Sequence, residues 1–265
     1  SGDGAPTVPG TTGTDTVTLG GSQSAVPVSS VDSVVGTTGT ADAVTMLAAG
    51  TLRFSGIESV IGSAGAGDIV MLNAGDTLRA SGVETIIGAT GTEVLTLIGN
   101  GTVAVSAIET VTGSTGTADT LTLLAAPTSA MAISGIESVI GSTASTDALQ
   151  MLAGGSLATS AVESVLGSTG TADALTMLAT GSMSISAIES VVGTTNAGDV
   201  ITLLATGAIK VSAVDTVVGT SATTDQVSLL AGGSIAVSDV AKVIGTTGTS
   251  DALTLLSGGA VSVSA

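Results

Sequence analysis

A glycine that closes a β-branched run recurs down the whole chain, at Gly10, Gly36, Gly62, Gly88, Gly113, Gly141, Gly167, Gly193, Gly219 and Gly245. The intervals are 26, 26, 26, 25, 28, 26, 26, 26 and 26 residues, so ten units fill the chain and the tenth is cut short. Self-similarity at such a period restricts the fold to an array of stacked units, none of which can bury its apolar face alone. Residues 36–61 give a typical unit, GTTGTADAVTMLAAGTLRFSGIESVI. The 28-residue interval contains Pro127, which predicts a short loop bulging from one corner.

Inside a unit the apolar residues alternate with polar ones. Val44-Thr45-Met46 and Leu52-Arg53-Phe54 both follow period two, and Ile57 to Ile61 is rich in β-branched residues. Gly-Thr-Thr-Gly-Thr, Ala-Ala-Gly and Ser-Gly separate these stretches and supply turn chemistry. No 3.6-residue stripe competes. The pattern predicts an all-β fold, a parallel β-solenoid (β-helix) of ten coils with about 26 residues and three short strands per coil. Residues 1–9 read as a lead segment and residues 10–265 as a single solenoid domain. Each strand is then expected to pair with its copy one repeat later, about 4.8 Å along the axis. Aliphatic ladders suit such a stack, for example Val17, Val44, Val70, Leu95 and Leu121, or Val31, Ile57, Val83 and Ile108. Phe54 is the one aromatic residue.

Composition excludes several functions. With 4 Lys+Arg against 21 Asp+Glu the net charge is -17, which repels phosphate backbones and anionic headgroups, so no nucleic-acid partner is expected. Gly, Ser, Thr and acids interrupt every apolar run well short of the roughly 18–20 residues of a membrane helix, so no membrane insertion is expected either. The chain has no His and no Cys, and hence neither the commonest general base nor a thiol nucleophile. Its four cations are Arg53, Arg79, Lys210 and Lys242, and three of them share one position of the repeat. Each environment recurs eight to ten times, which is the opposite of a catalytic centre, so the chain is expected not to be an enzyme.

Eighteen of the 21 acids fall into two columns. The turn column is Asp15, Asp42, Asp68, Glu93, Asp119, Asp147, Asp173, Asp199, Asp225 and Asp251, and the strand column is Asp32, Glu58, Glu84, Glu109, Glu137, Glu163, Glu189 and Asp215. Stacked one repeat apart, like charges would cost on the order of 1 kcal/mol per neighbour pair. Divalent cations, backbone N–H donors or raised carboxyl pKa values would each offset that cost. A turn acid can equally cap the backbone of its own turn, and the strand column can form a solvated stripe.

The segment GTTGTDTVTL, residues 10–19, resembles the glycine-rich nonapeptide of haemolysin-type (RTX-like) calcium-binding β-rolls. IESVIGSAGAGDIVML, residues 57–72, is similar to segments leading into such repeats in secreted bacterial proteins, among them surface-layer and giant surface proteins. The resemblance covers residues 10–265 and implies an extracellular or bacterial cell-surface location. It further implies calcium on the turn aspartates Asp15, Asp42, Asp68, Asp119, Asp147, Asp173, Asp199, Asp225 and Asp251, and a structural or adhesive role. The family's nine-residue periodicity is absent, because each unit carries one such turn.

Two apolar residues stand side by side where alternation should break, as at Leu47, Leu72, Ile98, Leu124 and Leu152, and again at Ile61, Ile87 and Ile140. Either a corner turns both inward or a continuous apolar stripe runs along the rod and packs against a lateral partner. The sequence ends in Val261-Ser262-Val263-Ser264-Ala265 without a polar cap, and the lead segment has the length to complete another chain's last coil. The expected partner is therefore a further copy of the chain, stacked head-to-tail and also packed laterally. The expected function is a non-enzymatic extracellular structural protein that self-assembles into a filament, surface layer or matrix. The strand threonines Thr18, Thr45, Thr96, Thr122, Thr176, Thr202 and Thr254 form a partial ladder that supports an alternative, an ice- or polysaccharide-binding adhesin stalk segment.

Overall fold

The computed structural model describes residues 6–264 apart from 22, 24, 39, 40, 117, 171, 172, 223, 248–250, 258 and 259. The described residues form thirty strands and no helix. They fall into two compact units, residues 1–136 and 137–265. In the first unit eight strands make one parallel sheet (sheet I) and seven make a second (sheet II). In the second unit seven strands belong to sheet I and eight to sheet II. Both units are parallel β-solenoids, as the alternation and the 26-residue period predict.

The winding differs from the expected one. Successive strands alternate between the sheets, so a full turn takes two strands, whereas a repeat contains three. In the repeat of residues 36–61 these are Ala43–Met46, Thr51–Ser55 and Ser59–Ile61. Each repeat therefore winds one and a half turns, and the expected ten three-sided coils give way to two-sided coils of about seven turns in each unit. Val44 pairs with Val26 of the preceding repeat and with Val60 of its own. Its counterpart Val70 lies in the other sheet, between Leu52 and Ile86. Copies of one strand return to the same sheet only after two repeats, three coils further on. The physical reason lies in the turns. Each of the three turn types reverses the chain onto the opposite sheet instead of bending it by a third of a circle. The sequence period counts kinds of turn, and the structural period counts sheets.

Two facing sheets about 10 Å apart leave room for one layer of interdigitating aliphatic side chains. The short third strand contributes one interior residue and the longer strands two, which gives the alternating burial of Leu52 and Phe54 within Thr51–Ser55. Val34, Val44, Val60, Val70, Leu78, Ile86, Leu95, Val111 and Leu121 are fully buried. Each such side chain contributes about 1.5–3 kcal/mol, which offsets backbone ordering only when coils stack. Phe54 is accommodated in this layer beside Val34, with 1% of its surface exposed. The chain enters sheet I at Val8–Pro9, which pairs with Val28–Ser29, so the first strand lies inside the lead segment. The Pro127 loop spans residues 124–130 between two strands, longer than the four-residue turn 47–50 at the equivalent place.

The apolar doublets resolve into one inward and one outward residue. Leu47, Ile98, Leu124, Leu152, Leu178, Leu204 and Leu230 are 45–58% exposed. Leu72 is the buried member of its doublet, and exposed Asn73 takes the outward place. Because strands alternate between sheets, Leu47 and Ile98 follow strands of sheet I and Leu124 follows a strand of sheet II. Ile61 and Leu166, 48% and 40% exposed, stand one coil on from Leu47 and Leu152, and the coil after them presents Ser81 or Ser186, so among the described residues the outward apolar residues form short pairs broken every third coil.

Candidate functional site

Each edge of a solenoid unit is a stack of corners in a fixed order: a glycine-rich turn ending in an acid, a short turn that carries the strand acid except at Ala241, then a Gly/Ala-rich turn that is uncharged except at Asp76. The recurring glycine that opens the first of these has no alternative. An added Cβ would lie 1.7 Å from the carbonyl oxygen of Gly56 at Gly36, 1.7 Å from that of Gly135 at Gly113 and 1.5 Å from that of Ala161 at Gly141. Those carbonyls belong to the next coil, at a residue held in the left-handed region, such as Gly56 (φ 62°), Ala107 (φ 52°) or Ala161 (φ 52°). Ala at such a position carries a conformational cost of about 1–2 kcal/mol.

The turn acids point back into their own turns. In nine of the ten turns the carboxylate accepts the N–H of the residue after the recurring glycine at 2.5–2.6 Å; the donors are Thr11, Thr37, Ser63, Ser114, Ser142, Ser168, Thr194, Thr220 and Thr246. The hydroxyls of the same nine residues donate to the same carboxylates at 2.8–3.1 Å. The other oxygen reaches the preceding coil, where it accepts an N–H from Gln23 (2.9 Å, to Asp42), Gly155 (3.3 Å, to Asp173), Gly181 (3.3 Å, to Asp199) or Gly207 (3.1 Å, to Asp225). Asp42, Asp68, Asp119, Asp147, Asp173, Asp199 and Asp225 are at most 1% exposed, Asp15 is half-buried, and Asp251 is exposed. Burial pushes the Asp42 carboxyl up, but the N–H groups of Thr37 and Gln23 and the Thr37 hydroxyl together hold it below its ordinary value. The Thr246 N–H does the same for Asp251.

The strand acids are not a free stripe. Asp32, Glu58, Glu84, Glu109, Glu163, Glu189 and Asp215 each accept the main-chain N–H of a turn acid one coil earlier, at 2.8–2.9 Å. In six of these seven pairs the strand acid's own N–H returns a bond to the turn acid's carbonyl at 3.0–3.3 Å: Asp32 to Asp15, Glu58 to Asp42, Glu109 to Glu93, Glu163 to Asp147, Glu189 to Asp173 and Asp215 to Asp199. Acids thus stand in pairs, and on one edge of a unit a pair is followed by a Gly/Ala-rich turn, uncharged except at Asp76. Turn acids on one edge of a unit recur after three coils, about 14 Å, where unscreened repulsion in water is about 0.3 kcal/mol. The continuous column expected from the sequence is absent; like charges stand one coil apart within a pair, where the turn acid's N–H lies between them.

A calcium ion takes six to eight oxygen ligands. The turn carboxylates present both oxygens to N–H and O–H donors, whose hydrogens occupy the sector a cation would need. Among the described residues no three acidic side chains converge as a metal site. The residues present suit a backbone cap and do not fit a calcium cage.

The remaining candidates disperse over the surface. Arg53 is exposed in sheet II and Arg79 in sheet I, so the two are not neighbours on one face. Thr45 and Thr96 lie in sheet I and Thr18 and Thr122 in sheet II, which splits the threonine ladder. Grooves recur between turns, of about 150 Å³ beside Glu84, 200 Å³ beside Glu189 and 460 Å³ beside Asp215. Each lies between a strand-acid turn and the Gly/Ala turn one coil on.

One corner departs from the rest, and residue-type reasoning missed it. In the 25-residue repeat Ala89 replaces the Ser/Thr donor and Glu93 replaces Asp. The signal was present in the shortened interval together with the missing hydroxyl. Comparison with protein-family models, with curated proteins and with solved structures found no match.

Proposed function

We propose that the chain is a non-catalytic structural protein of the bacterial exterior that assembles head-to-tail with copies of itself into a filament, surface layer or matrix. The observation that carries this reading is the two-way Asp–Glu clasp between consecutive coils, made by Asp42 with Glu58 and by Asp147 with Glu163. The acids, which are the residues best able to supply chemistry in this chain, act as fasteners. The surface that a coil offers to the next complements the one it offers to the previous, which is a heterologous contact that does not close on itself. A second copy in the same register extends both sheets by the same ladder. The extracellular setting rests on the haemolysin-type look of residues 10–19, with which the absence of Cys is compatible. In this chain the resemblance extends to the glycine-rich turn, with the aspartate as its cap.

Sedimentation and negative-stain electron microscopy over a micromolar concentration series test the proposal. Species that lengthen with concentration at constant width support it. A monomer at every concentration overturns it.

A further inference from the structure

The Glu93 corner lacks a donor that every other turn acid has. Glu93 is fully buried, its Oε1 accepts the Gly75 N–H at 3.0 Å, and its Oε2 has no hydrogen-bond partner. Ala89 stands where the other nine turns carry a Ser or Thr whose hydroxyl donates to the acid. One coil on, Glu109 accepts the Glu93 N–H at 2.8 Å, which brings its carboxyl group against that of Glu93. A buried carboxylate oxygen without a donor is costly, about 1–3 kcal/mol or more for a charged group. A second carboxyl beside it raises the cost unless one of the two is neutral.

The surroundings offer no competing cation. On the preceding coil Asp76 gives its carbonyl to the Val94 N–H and its carboxylate to the Asn73 N–H, and Arg79 is exposed in the strand that follows. Glu84 turns to the N–H groups of Gly67 and Asp68. On the following coil Glu109 is the only ionisable residue between 102 and 112.

We infer that the Glu93–Glu109 corner is a proton-binding site, in which a proton taken from solvent sits on Glu109 and its carboxyl O–H donates to the unpartnered Oε2 of Glu93. The proton replaces the hydroxyl lost at Ala89. Burial, the bond between the two side chains and the Glu93 charge act in the same direction, holding the Glu109 carboxyl above its ordinary value despite the N–H it accepts from Glu93. The linkage follows from the sign. A carboxyl with a raised folded-state pKa contributes stability below its unfolded value, and that stability is lost as pH rises through the folded one. This corner therefore tightens on mild acidification and loosens at higher pH, the reverse of the Asp42 turn.

The test uses the full chain and reads the thermal midpoint from neutral pH down to mild acid. Glu109→Gln carries a permanent donor in place of the acid, and Ala89→Ser restores the hydroxyl. Each is expected to raise the midpoint at neutral pH by about 2–4 °C and to flatten the wild-type rise on acidification. Glu163→Gln, at the equivalent corner where Asp147 keeps its Ser142 donors, is expected to leave the pH profile unchanged. Carboxyl-carbon NMR of the wild-type chain gives an independent reading, with Glu109 titrating above the other six glutamates. Any of three results overturns the proposal: Glu109→Gln tracking Glu163→Gln, Glu109 titrating with the other glutamates, or sodium or calcium ions reproducing the effect of acid at constant pH.

Discussion

The amide of Asp42 donates to Oε2 of Glu58 at 2.8 Å, and the amide of Glu58 donates to the carbonyl of Asp42 at 3.0 Å. Sixteen residues apart in sequence, they are neighbours along the solenoid edge. The relationship turns two acidic columns into one fastening. A turn aspartate fixes its own loop with its carboxylate and ties the next coil with its main chain. The glutamate that receives this tie needs no cation beside it, because an N–H lies between the two charges.

Removing a buried turn carboxylate should therefore unfasten a corner rather than relieve repulsion. In Asp173→Ala the N–H and hydroxyl of Ser168 and the N–H of Gly155 lose their acceptor. A loss of about 2–3 kcal/mol is expected, within the range for stranding buried donors. Urea unfolding with amide exchange around residues 168–173 measures it. A gain in stability would mean that charge repulsion dominates the corner.

The recurring glycine is predicted to tolerate no side chain. Gly141→Ala places a methyl group 1.5 Å from the Ala161 carbonyl oxygen, backbone that cannot yield without moving the coil. A destabilisation of about 3 kcal/mol is expected, at the upper end for overpacking. The partner change Ala161→Gly relieves a φ of 52° and should stabilise by about 1 kcal/mol. Thermal midpoints of the two variants should move in opposite directions.

Period two and the turn residues made the strands, the parallel solenoid and the inward set legible in the sequence. Val44, Leu52 and Val60 are buried as their spacing demands, and Pro127 lies in a loop. The winding was not legible. Whether Gly-Thr-Thr-Gly-Thr-Ala-Asp bends the chain by a third or a half of a turn depends on backbone angles that residue identities leave open. That single unknown moved every column. Val70 went to the opposite sheet from Val44, and Glu58 went from a neighbour of Glu84 to a neighbour of Asp42. The clasp could be seen only after the winding was known, because its partners belong to different columns.

One buried hydroxyl marks a place where the core is imperfect. Thr159 is 1% exposed, its Oγ1 has no partner, and in register it lies between Val139 and Met177. The same position of other repeats holds Val105, Ile133, Ile185, Val211 and Val237. Thr159→Val keeps the shape and removes the stranded polar atom, so a gain of about 1 kcal/mol is expected, or about 2–4 °C in the thermal midpoint. A loss would show that the hydroxyl finds a donor or acceptor in solution.

Acid should weaken the turn caps in a defined order of sign. The carboxyls of Asp42 and Asp251 are held below their ordinary value of 3.8, so each contributes stability above that pH and loses it as pH falls through the lowered folded value. The contribution of these two caps is thus expected to fade as pH drops from about 3.8 through the lowered folded values, on the acid side of the Glu109 effect. Replacing Asp42 by Asn should remove part of that acid-limb slope, and urea midpoints from pH 5 downward check it.

Calcium provides the last contrast, because the haemolysin-type resemblance and the hydrogen-bond pattern lead to opposite expectations. A chain that held calcium on its turn aspartates would gain about 2.7 kcal/mol per site at a hundredfold excess over the dissociation constant. For a chain of this length one such site shifts the thermal midpoint by about 5–10 °C, and a column of them by more. The turn carboxylates here accept an N–H and an O–H apiece from their own loops, as Asp199 does from Thr194 at 2.5 and 2.8 Å. Seating a cation there requires those donors to turn away, at a cost comparable to the loss predicted for Asp173→Ala. Chelation with EGTA and addition of calcium in excess are accordingly expected to leave the midpoint within about 1 °C of its starting value. A rise of several degrees with calcium, abolished in Asp199→Asn, would assign the turn acids to a metal and remove the clasp from its central place in the fold.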